Sequence, residues 1–125
     1  MVQRKRYLEK LKKLKDKQII KVVTGVRRCG KSTLLKQFQE YLKSCGVEER
    51  QIISINFEDV SNEPLMDYKA LHDFVVKQLI PGKMTYVFLD EVQAVPQYQK
   101  AVDSLFIRDN VDLYITGSNA YLLSG

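Results

Sequence analysis

The sequence has few cysteines and no long hydrophobic run, and each absence excludes a class of protein. Cys29 and Cys45 are the two cysteines among 125 residues, too few for a disulfide framework or a cysteine-rich zinc site. The longest apolar runs, such as residues 86–89, have only a few residues, whereas a membrane-spanning helix needs about 20. The charged N-terminus also lacks the apolar core of a secretory signal. We therefore expect a globular cytoplasmic protein with free thiols.

Positive charge is concentrated at the N-terminal end of the chain. The formal net charge is +5, yet residues 1–17 carry a net charge of +6 and residues 18–125 carry −1. Within the basic segment, apolar side chains recur every three or four residues and predict an amphipathic helix: Tyr7, Leu8, Leu11 and Leu14. This helix could bind nucleic acid or a membrane surface, or it could pack its apolar stripe on the domain. We favour packing, because solvent-exposed lysines are common.

The second segment, residues 18–125, alternates between strand-like and helix-like patterns. Short runs rich in β-branched residues predict four strands, over residues 19–24, 51–56, 85–89 and 111–116. Apolar residues at helical spacing predict helices over residues 31–44, 67–80 and 96–108, with a further helix from Ser118. Strands that alternate with helices favour a mainly parallel sheet covered on both faces. The sequence thus predicts a three-layer α/β/α domain.

The turn after the first predicted strand contains the most specific pattern in the chain. Residues 25–32 read Gly-Val-Arg-Arg-Cys-Gly-Lys-Ser, which matches the phosphate-binding loop G-x-x-x-x-G-K-[ST]. Gly25 and Gly30 allow successive N–H groups to point at phosphate oxygens, at a helix N-terminus that favours an anion. Lys31 can then reach the β- and γ-phosphates, which makes it a candidate catalytic residue as well as a binding one. The pattern predicts binding of ATP, or another nucleoside triphosphate; the alternative is an ordinary glycine turn.

Other residues in and after this loop extend the predicted site. Ser32 can ligate Mg²⁺ through its hydroxyl, and Thr33 can support the α-phosphate. Arg27 and Arg28 flank the path of the phosphates and could contact them or a neighbouring subunit, although they could equally be solvated. Cys29 is interpreted as a small residue that fits the loop, at a helix N-terminus where a thiol can become reactive.

Two acidic residues at the end of the third predicted strand support the same function independently. Asp90 and Glu91 follow the apolar residues 86–89, and ligands of open α/β sheets bind at this edge. Asp90 would hold Mg²⁺, and Glu91 would polarise the attacking water as general base. The alternative is that they cap the next loop. Gln93 could orient water or contact a partner, but a solvent-facing amide is the simpler interpretation.

The fourth predicted strand ends in residues with hydroxyl and amide side chains. If this strand lies between the first and the third, its end faces the γ-phosphate. A side chain there could sense that phosphate or orient the water, and the candidates are Thr116, Ser118 and Asn119. Helix capping by Ser118 or Asn119 is an equally good interpretation.

Together these segments resemble the AAA-type ATP-binding proteins of bacteria and archaea, which are mostly uncharacterised. The resemblance rests on residues 24–35, with the paired arginines in the loop, on Asp90-Glu91-Val92-Gln93 and on Thr116-Gly117-Ser118. The basic N-terminal helix and residues 56–59 are also similar. The resemblance implies a P-loop NTPase domain of the additional-strand class, with sheet order 1-4-3-2. It also implies ATP hydrolysis, with Glu91 as the base and the residues after the fourth strand as sensor.

The family pattern continues beyond residue 125, with a fifth strand beside the first and an arginine that senses the γ-phosphate. Some members add a nuclease-like region. We therefore expect this chain to be an N-terminal fragment, truncated before the fifth strand.

The predicted function is Mg²⁺-dependent ATP hydrolysis by an AAA-type ATPase domain. A nucleotide-binding switch with negligible turnover and a P-loop kinase for a small acceptor are the alternatives. The Asp90-Glu91 pair favours hydrolysis over the kinase, because attack by water needs a base beside the metal ligand. A homo-oligomer and nucleic acid, through the basic helix, remain open as partners.

Overall fold

The structure is a computed structural model that describes residues 2–24 and 28–117. All predicted helices and strands within these ranges are present, and the helix predicted from Ser118 lies outside them. No helix in the described ranges is long and apolar enough to cross a membrane. In chain order the elements are α1 (Val2–Leu14), β1 (Lys21–Val23), α2 (Arg28–Ser44), β2 (Ile52–Asn56), α3 (Tyr68–Val76), β3 (Thr85–Asp90), α4 (Tyr98–Phe106) and β4 (Val111–Thr116). Short 3-10 segments cover Glu49–Gln51, Val60–Leu65 and Val92–Ala94.

The four strands form one parallel sheet in the order β1-β4-β3-β2. This order confirms the expectation drawn from the family resemblance, and it places β4 between β1 and β3. The register sets Val23 opposite Thr116, and Asn56 opposite Asp90. Consequently the carboxyl ends of the strands meet at one edge of the sheet, where sheets of this kind bind ligands.

Helices cover both faces of the sheet, so the fold is a three-layer α/β/α domain. Alternate residues of β3 and β4 point to opposite faces because strand side chains have a period of two. Tyr86, Phe88 and Tyr114 pack with α1 and α2, whereas Leu89 and Ile115 belong to the core beneath α3 and α4. The rings of Phe88 and Tyr114 stack at 4.8 Å. Burial from both sides explains why β3 and β4 are buried along their whole length.

The basic helix α1 packs on the domain through its apolar stripe, as the favoured interpretation predicts. Leu11 is buried, and Tyr7 and Leu8 are half-buried against α2 and the sheet. The hydroxyl of Tyr7 donates to the carbonyl of Thr24, the last described residue before the phosphate loop. Lys10 and other basic side chains of α1 remain exposed. The helix therefore contacts the end of β1 directly.

Several boundaries differ from the predicted ones, for local reasons. α3 ends at Val76 instead of residue 80, because Gln78 and Leu79 donate to carbonyls three residues earlier, at 3.0 and 3.2 Å, and tighten the last turn. β1 is confined to three residues, those that pair with β4. α2 begins at Arg28, three residues before the predicted start.

A buried polar cluster joins the amino-terminal ends of β1 and β4, at the edge of the sheet opposite the predicted site. Lys21 and Asp112 form an ion pair in which both side chains are fully buried. Lys21 Nζ also donates to the carbonyl of Lys17 at 2.5 Å, and the Tyr114 hydroxyl donates to Asp112 Oδ2 at 2.7 Å. Burial, with Asp112 nearby, raises the pKa of Tyr114 far above its usual value, so the phenol remains protonated. Each charge therefore has partners that compensate its loss of water.

The turn between α1 and β1 is attached to this cluster through Asp16. Its backbone is left-handed, with φ 66°, a conformation that Asp adopts more readily than most residues. Its N–H donates to Asp112 Oδ2 at 2.9 Å, and its carboxylate accepts the Tyr86 hydroxyl at 2.6 Å. Burial alone would raise the pKa of Asp16, but hydrogen bonds from Lys15 and Tyr86 outweigh it and hold the pKa below its usual range. The turn is thus held by charge as well as by packing.

Candidate nucleotide-binding site

The predicted site residues that the structure describes converge at the carboxyl edge of the sheet. Here β1 leads toward the phosphate loop, α2 begins, and β3 and β4 end. The backbone of α2 begins with Arg28 and Cys29, but their side chains lie outside what the structure describes. The predictions for Gly25, Arg27, Ser118 and Asn119 also fall outside the described residues.

The lysine of the predicted phosphate loop contacts the predicted general base. Lys31 lies in the first turn of α2 and is 6% exposed. Its Nζ forms an ion pair with Glu91 Oε2, and the Glu91 side chain is 12% exposed. Removing both charges from water strengthens their attraction. A single interaction thus brings together the two residues that the sequence assigned to catalysis.

The residues next to Lys31 near the start of α2 differ in their exposure to solvent. Gly30 is buried and Thr33 half-buried, whereas Ser32 is exposed. Ser32 therefore lies at the surface of the cleft, where a ligand of a bound ion would need to be. The first backbone N–H groups of any helix also lack intrahelical partners, which makes the start of α2 suited to an anion.

The backbone of Glu91 adopts a left-handed conformation, with φ 59° and ψ 48°. This region costs a non-glycine residue about 1–2 kcal/mol, and such strain is concentrated at functional sites. The N–H of Glu91 donates to Thr116 Oγ1 at 2.9 Å, which compensates part of the cost. The turn aims the Glu91 side chain back toward α2.

Thr116 connects Asp90, the last residue of β3, with Glu91, the residue that follows it. Its hydroxyl donates to Asp90 Oδ1 and accepts the N–H of Glu91, and the residue is 1% exposed. A hydroxyl has one proton to donate, and Asp90 receives it. Thr116 is therefore placed to orient Asp90 and Glu91. Because its one proton is donated to Asp90, Thr116 could sense a bound phosphate only indirectly, through these two acidic residues.

Two oxygen ligands predicted for magnesium line the same cavity. Ser32 and Asp90 border a space of about 190 Å³ between α2 and the edge strand β2, together with Leu35, Lys36, Gln39, Ser54 and Asn56. Mg²⁺ prefers oxygen ligands and is commonly held by one or two carboxylates plus substrate phosphates. A serine hydroxyl and a carboxylate therefore fit the ion. Within the described ranges, no group of three or more His, Cys, Asp or Glu could hold a metal ion by itself.

Gln93 is a site residue whose position the sequence did not reveal. Its Nε2 donates to Glu91 Oε1 at 2.8 Å, and its Oε1 is buried. The interpretation of Gln93 as a solvent-facing amide is therefore wrong. The available signal was its position two residues after the predicted base, but the left-handed turn at Glu91 that allows the contact is not visible in the sequence.

Sequence comparisons relate the chain to known proteins at the level of family. A sequence model of the AAA domain family matches residues 17–125. An uncharacterised protein of Haemophilus influenzae is 43% identical over 131 residues, covering 100% of this chain and 32% of that protein, so the chain spans about a third of this curated relative. No solved structure matches the chain. Because the family match extends over most of the sequence, the chain belongs to the AAA domain family, whose domains are nucleotide-binding and of the ATPase type.

Proposed function

We propose that this domain binds ATP with Mg²⁺ and hydrolyses it within a longer ATPase. The observation that carries the proposal is the contact between Lys31 and Glu91, beside Asp90 at the carboxyl edge of the sheet. A phosphate-binding cation, a metal-binding carboxylate and a carboxylate base are the groups that phosphoryl transfer to water requires. Family membership supports nucleotide binding; the assignment of hydrolysis and of each residue's role is the proposed part.

Different residues of this chain would bind the phosphates and the metal ion. Lys31 would bind the β- and γ-phosphates, while the N–H groups at the start of α2 would bind phosphate oxygens. Ser32 and Asp90 would hold Mg²⁺, which when bound would neutralise charge that develops on the phosphate oxygens. Thr116 would keep Asp90 Oδ1 occupied, so that Oδ2 is the oxygen directed to the ion.

The Lys31–Glu91 ion pair gives the site a simple order of events. Phosphate oxygens would replace Glu91 Oε2 as the partner of Lys31, because a triphosphate offers the ammonium more negative charge than one carboxylate does. Glu91 Oε2 would then accept a proton from water. The water oxygen would form the new bond to the γ-phosphorus, and the bond from that phosphorus to the bridging oxygen of ADP would break. The base is thus freed only when a nucleotide is present.

Calorimetry of Mg²⁺-dependent ATP binding tests the first half of the proposal. Lys31→Ala should abolish measurable binding, whereas Lys43→Ala, on the same helix, exposed and away from the cavity, should change affinity by less than about threefold, as expected of a peripheral surface charge. Equal affinities for wild type and Lys31→Ala would contradict the assigned phosphate site.

Release of inorganic phosphate by the full-length protein, without any added acceptor, tests the second half. Glu91→Gln should retain ATP binding and lower turnover by about 10²–10⁴-fold, the contribution of a general base. Tight binding with no phosphate release by the wild type would instead identify a nucleotide-binding switch. Phosphate transfer that requires an added acceptor would identify a kinase.

A further inference from the structure

Gln93 holds one oxygen of the Glu91 carboxylate while Lys31 holds the other. The amide Nε2 of Gln93 donates to Oε1 at 2.8 Å, and the ammonium of Lys31 pairs with Oε2. The backbone N–H of Glu91 is held separately by Thr116. Glu91 is therefore fixed at three points, and only the contact with Lys31 is one that a phosphate would take over.

The segment that carries Gln93 is anchored firmly in the core. Val92 and Val95 on either side of it are 0% and 1% exposed and belong to the cluster beneath α3 and α4. The short 3-10 turn Val92–Ala94 is closed by the bonds from Ala94 N–H to Glu91 O and from Val95 N–H to Val92 O, at 3.1 and 3.0 Å. Because both neighbours are buried, the Gln93 amide has little freedom to leave Glu91.

Only one of the two polar atoms of the Gln93 amide has a hydrogen-bond partner in the described part of the chain. Its Nε2 has Glu91 as partner, whereas Oε1 is buried and accepts no hydrogen bond within the described part of the chain. A buried acceptor without a partner is destabilising. An apolar side chain of similar length would avoid that cost but would leave Glu91 Oε1 without its donor. What a glutamine offers at this position is therefore the action of its N–H group on Glu91.

We propose that Gln93 is a positioning residue for the base, which keeps Glu91 Oε1 occupied so that Oε2 alone turns toward the attacking water. The inference rests on the proposed hydrolysis and deepens it. Once phosphate has taken Lys31, the carboxylate would otherwise be free to rotate about its last side-chain bond. The Gln93 N–H prevents that rotation.

Two substitutions distinguish positioning from a structural role. Gln93→Met keeps the side-chain length and removes the amide; it should lower kcat for phosphate release by about 10–100-fold, the range typical of partners that orient a reactive ligand, with KM for ATP unchanged. Its stability to urea should stay close to that of the wild type, because the lost hydrogen bond to Glu91 and the removed buried acceptor offset each other. Gln99→Met, an exposed glutamine on α4, is the matched control and should alter none of these values.

Gln93→Asn supplies a second, independent readout. It keeps the amide but shortens the side chain by one CH2 group, so the N–H no longer reaches Glu91 Oε1, and kcat should fall as in Gln93→Met with KM for ATP unchanged. A substitution that acted only through folding would lower stability together with kcat.

The outcomes separate the inference from the proposed function. Absence of phosphate release by the wild-type full-length protein would overturn both. Wild-type turnover with unchanged kcat in Gln93→Met, or a Gln93→Met protein whose loss of kcat follows a loss of stability, would overturn the positioning role alone. Lower kcat at constant KM and near-wild-type stability in Gln93→Met, with the same pattern in Gln93→Asn, supports it.

Discussion

Thr116 donates its hydroxyl proton to Asp90 and accepts the backbone N–H of Glu91, so one side chain of β4 orients both acidic residues at the end of β3. The contact exists because β3 and β4 are adjacent and in register, with Leu89 opposite Ile115. Residues that orient a metal ligand commonly matter almost as much as the ligand itself. This relationship leads to the first prediction.

Thr116→Val should impair both stability and turnover. Valine keeps the shape but leaves the buried N–H of Glu91 without its acceptor, and an unsatisfied buried group costs about 1–3 kcal/mol. Urea denaturation would measure the loss of stability. Phosphate release should also fall, because Asp90 and Glu91 would be less well oriented. Thr116→Ser retains the hydroxyl and serves as the control. Equal stability of the Val and Ser variants would contradict the bridging role.

Breaking the buried pair between Lys21 and Asp112 should destabilise the fold strongly. Removing one member leaves an uncompensated charge in the core, so Lys21→Met should cost about 3–5 kcal/mol in the free energy of unfolding. The double substitution with Asp112→Leu should cost less than the sum of the single ones, because no charge is then left unpaired.

The exposed pair of Lys83 and Glu48, with an N–O distance of 2.7 Å, provides the comparison. Lys83→Met should cost less than about 1 kcal/mol, since exposed ion pairs contribute little. Chemical denaturation of both single variants would decide the question. A cost at Lys21 as small as that at Lys83 would show that the buried pair is not formed.

Asp16 should make the fold sensitive to acid. Its pKa is lower in the folded chain than its usual value because Lys15 and Tyr86 donate to the carboxylate against the effect of burial. A depressed folded pKa stabilises the protein above the unfolded value of about 3.9, and this contribution is lost as the pH falls through the folded pKa.

The test compares Asp16→Asn with the wild type by urea denaturation, near pH 7 and near pH 3. Asparagine also tolerates the left-handed backbone of this position, so the comparison isolates the charge. The wild type should lose more stability than the variant over this interval. Parallel losses in the two proteins would rule out the proposed effect of the carboxylate.

The attachment of α1 should depend on Leu11. This side chain is 3% exposed in the core between α1, α2 and the sheet, and Leu→Ala at such a site costs about 2–5 kcal/mol. Ile107→Ala is the control, since Ile107 is 76% exposed and surface substitutions usually change stability by less than about 0.5 kcal/mol. Thermal and chemical denaturation of both variants would measure the difference. Similar stabilities would mean that α1 is not docked.

The sequence pattern predicted the buried strands correctly but not what their charged residues do. Lys21 and Asp112 lie in short apolar segments, and a period-two pattern predicts burial without predicting which charges pair. The signal for an ion pair that the sequence offered was the presence of two opposite charges in otherwise apolar strands. Pairing them requires the strand order and register, which arise from contacts between residues distant in the sequence.

The sequence by itself predicted the type of site, and only the tertiary structure decided which of the predicted residues contact each other. A phosphate-binding loop is a local object, whose glycines, lysine and hydroxyl lie within eight consecutive residues, Gly25 to Ser32, so its pattern can be read without the fold. The contacts of Lys31 with Glu91 and of Thr116 with Asp90 join residues 60 and 26 positions apart. They form only because the sheet places β4 between β1 and β3 and turns Glu91 back toward α2.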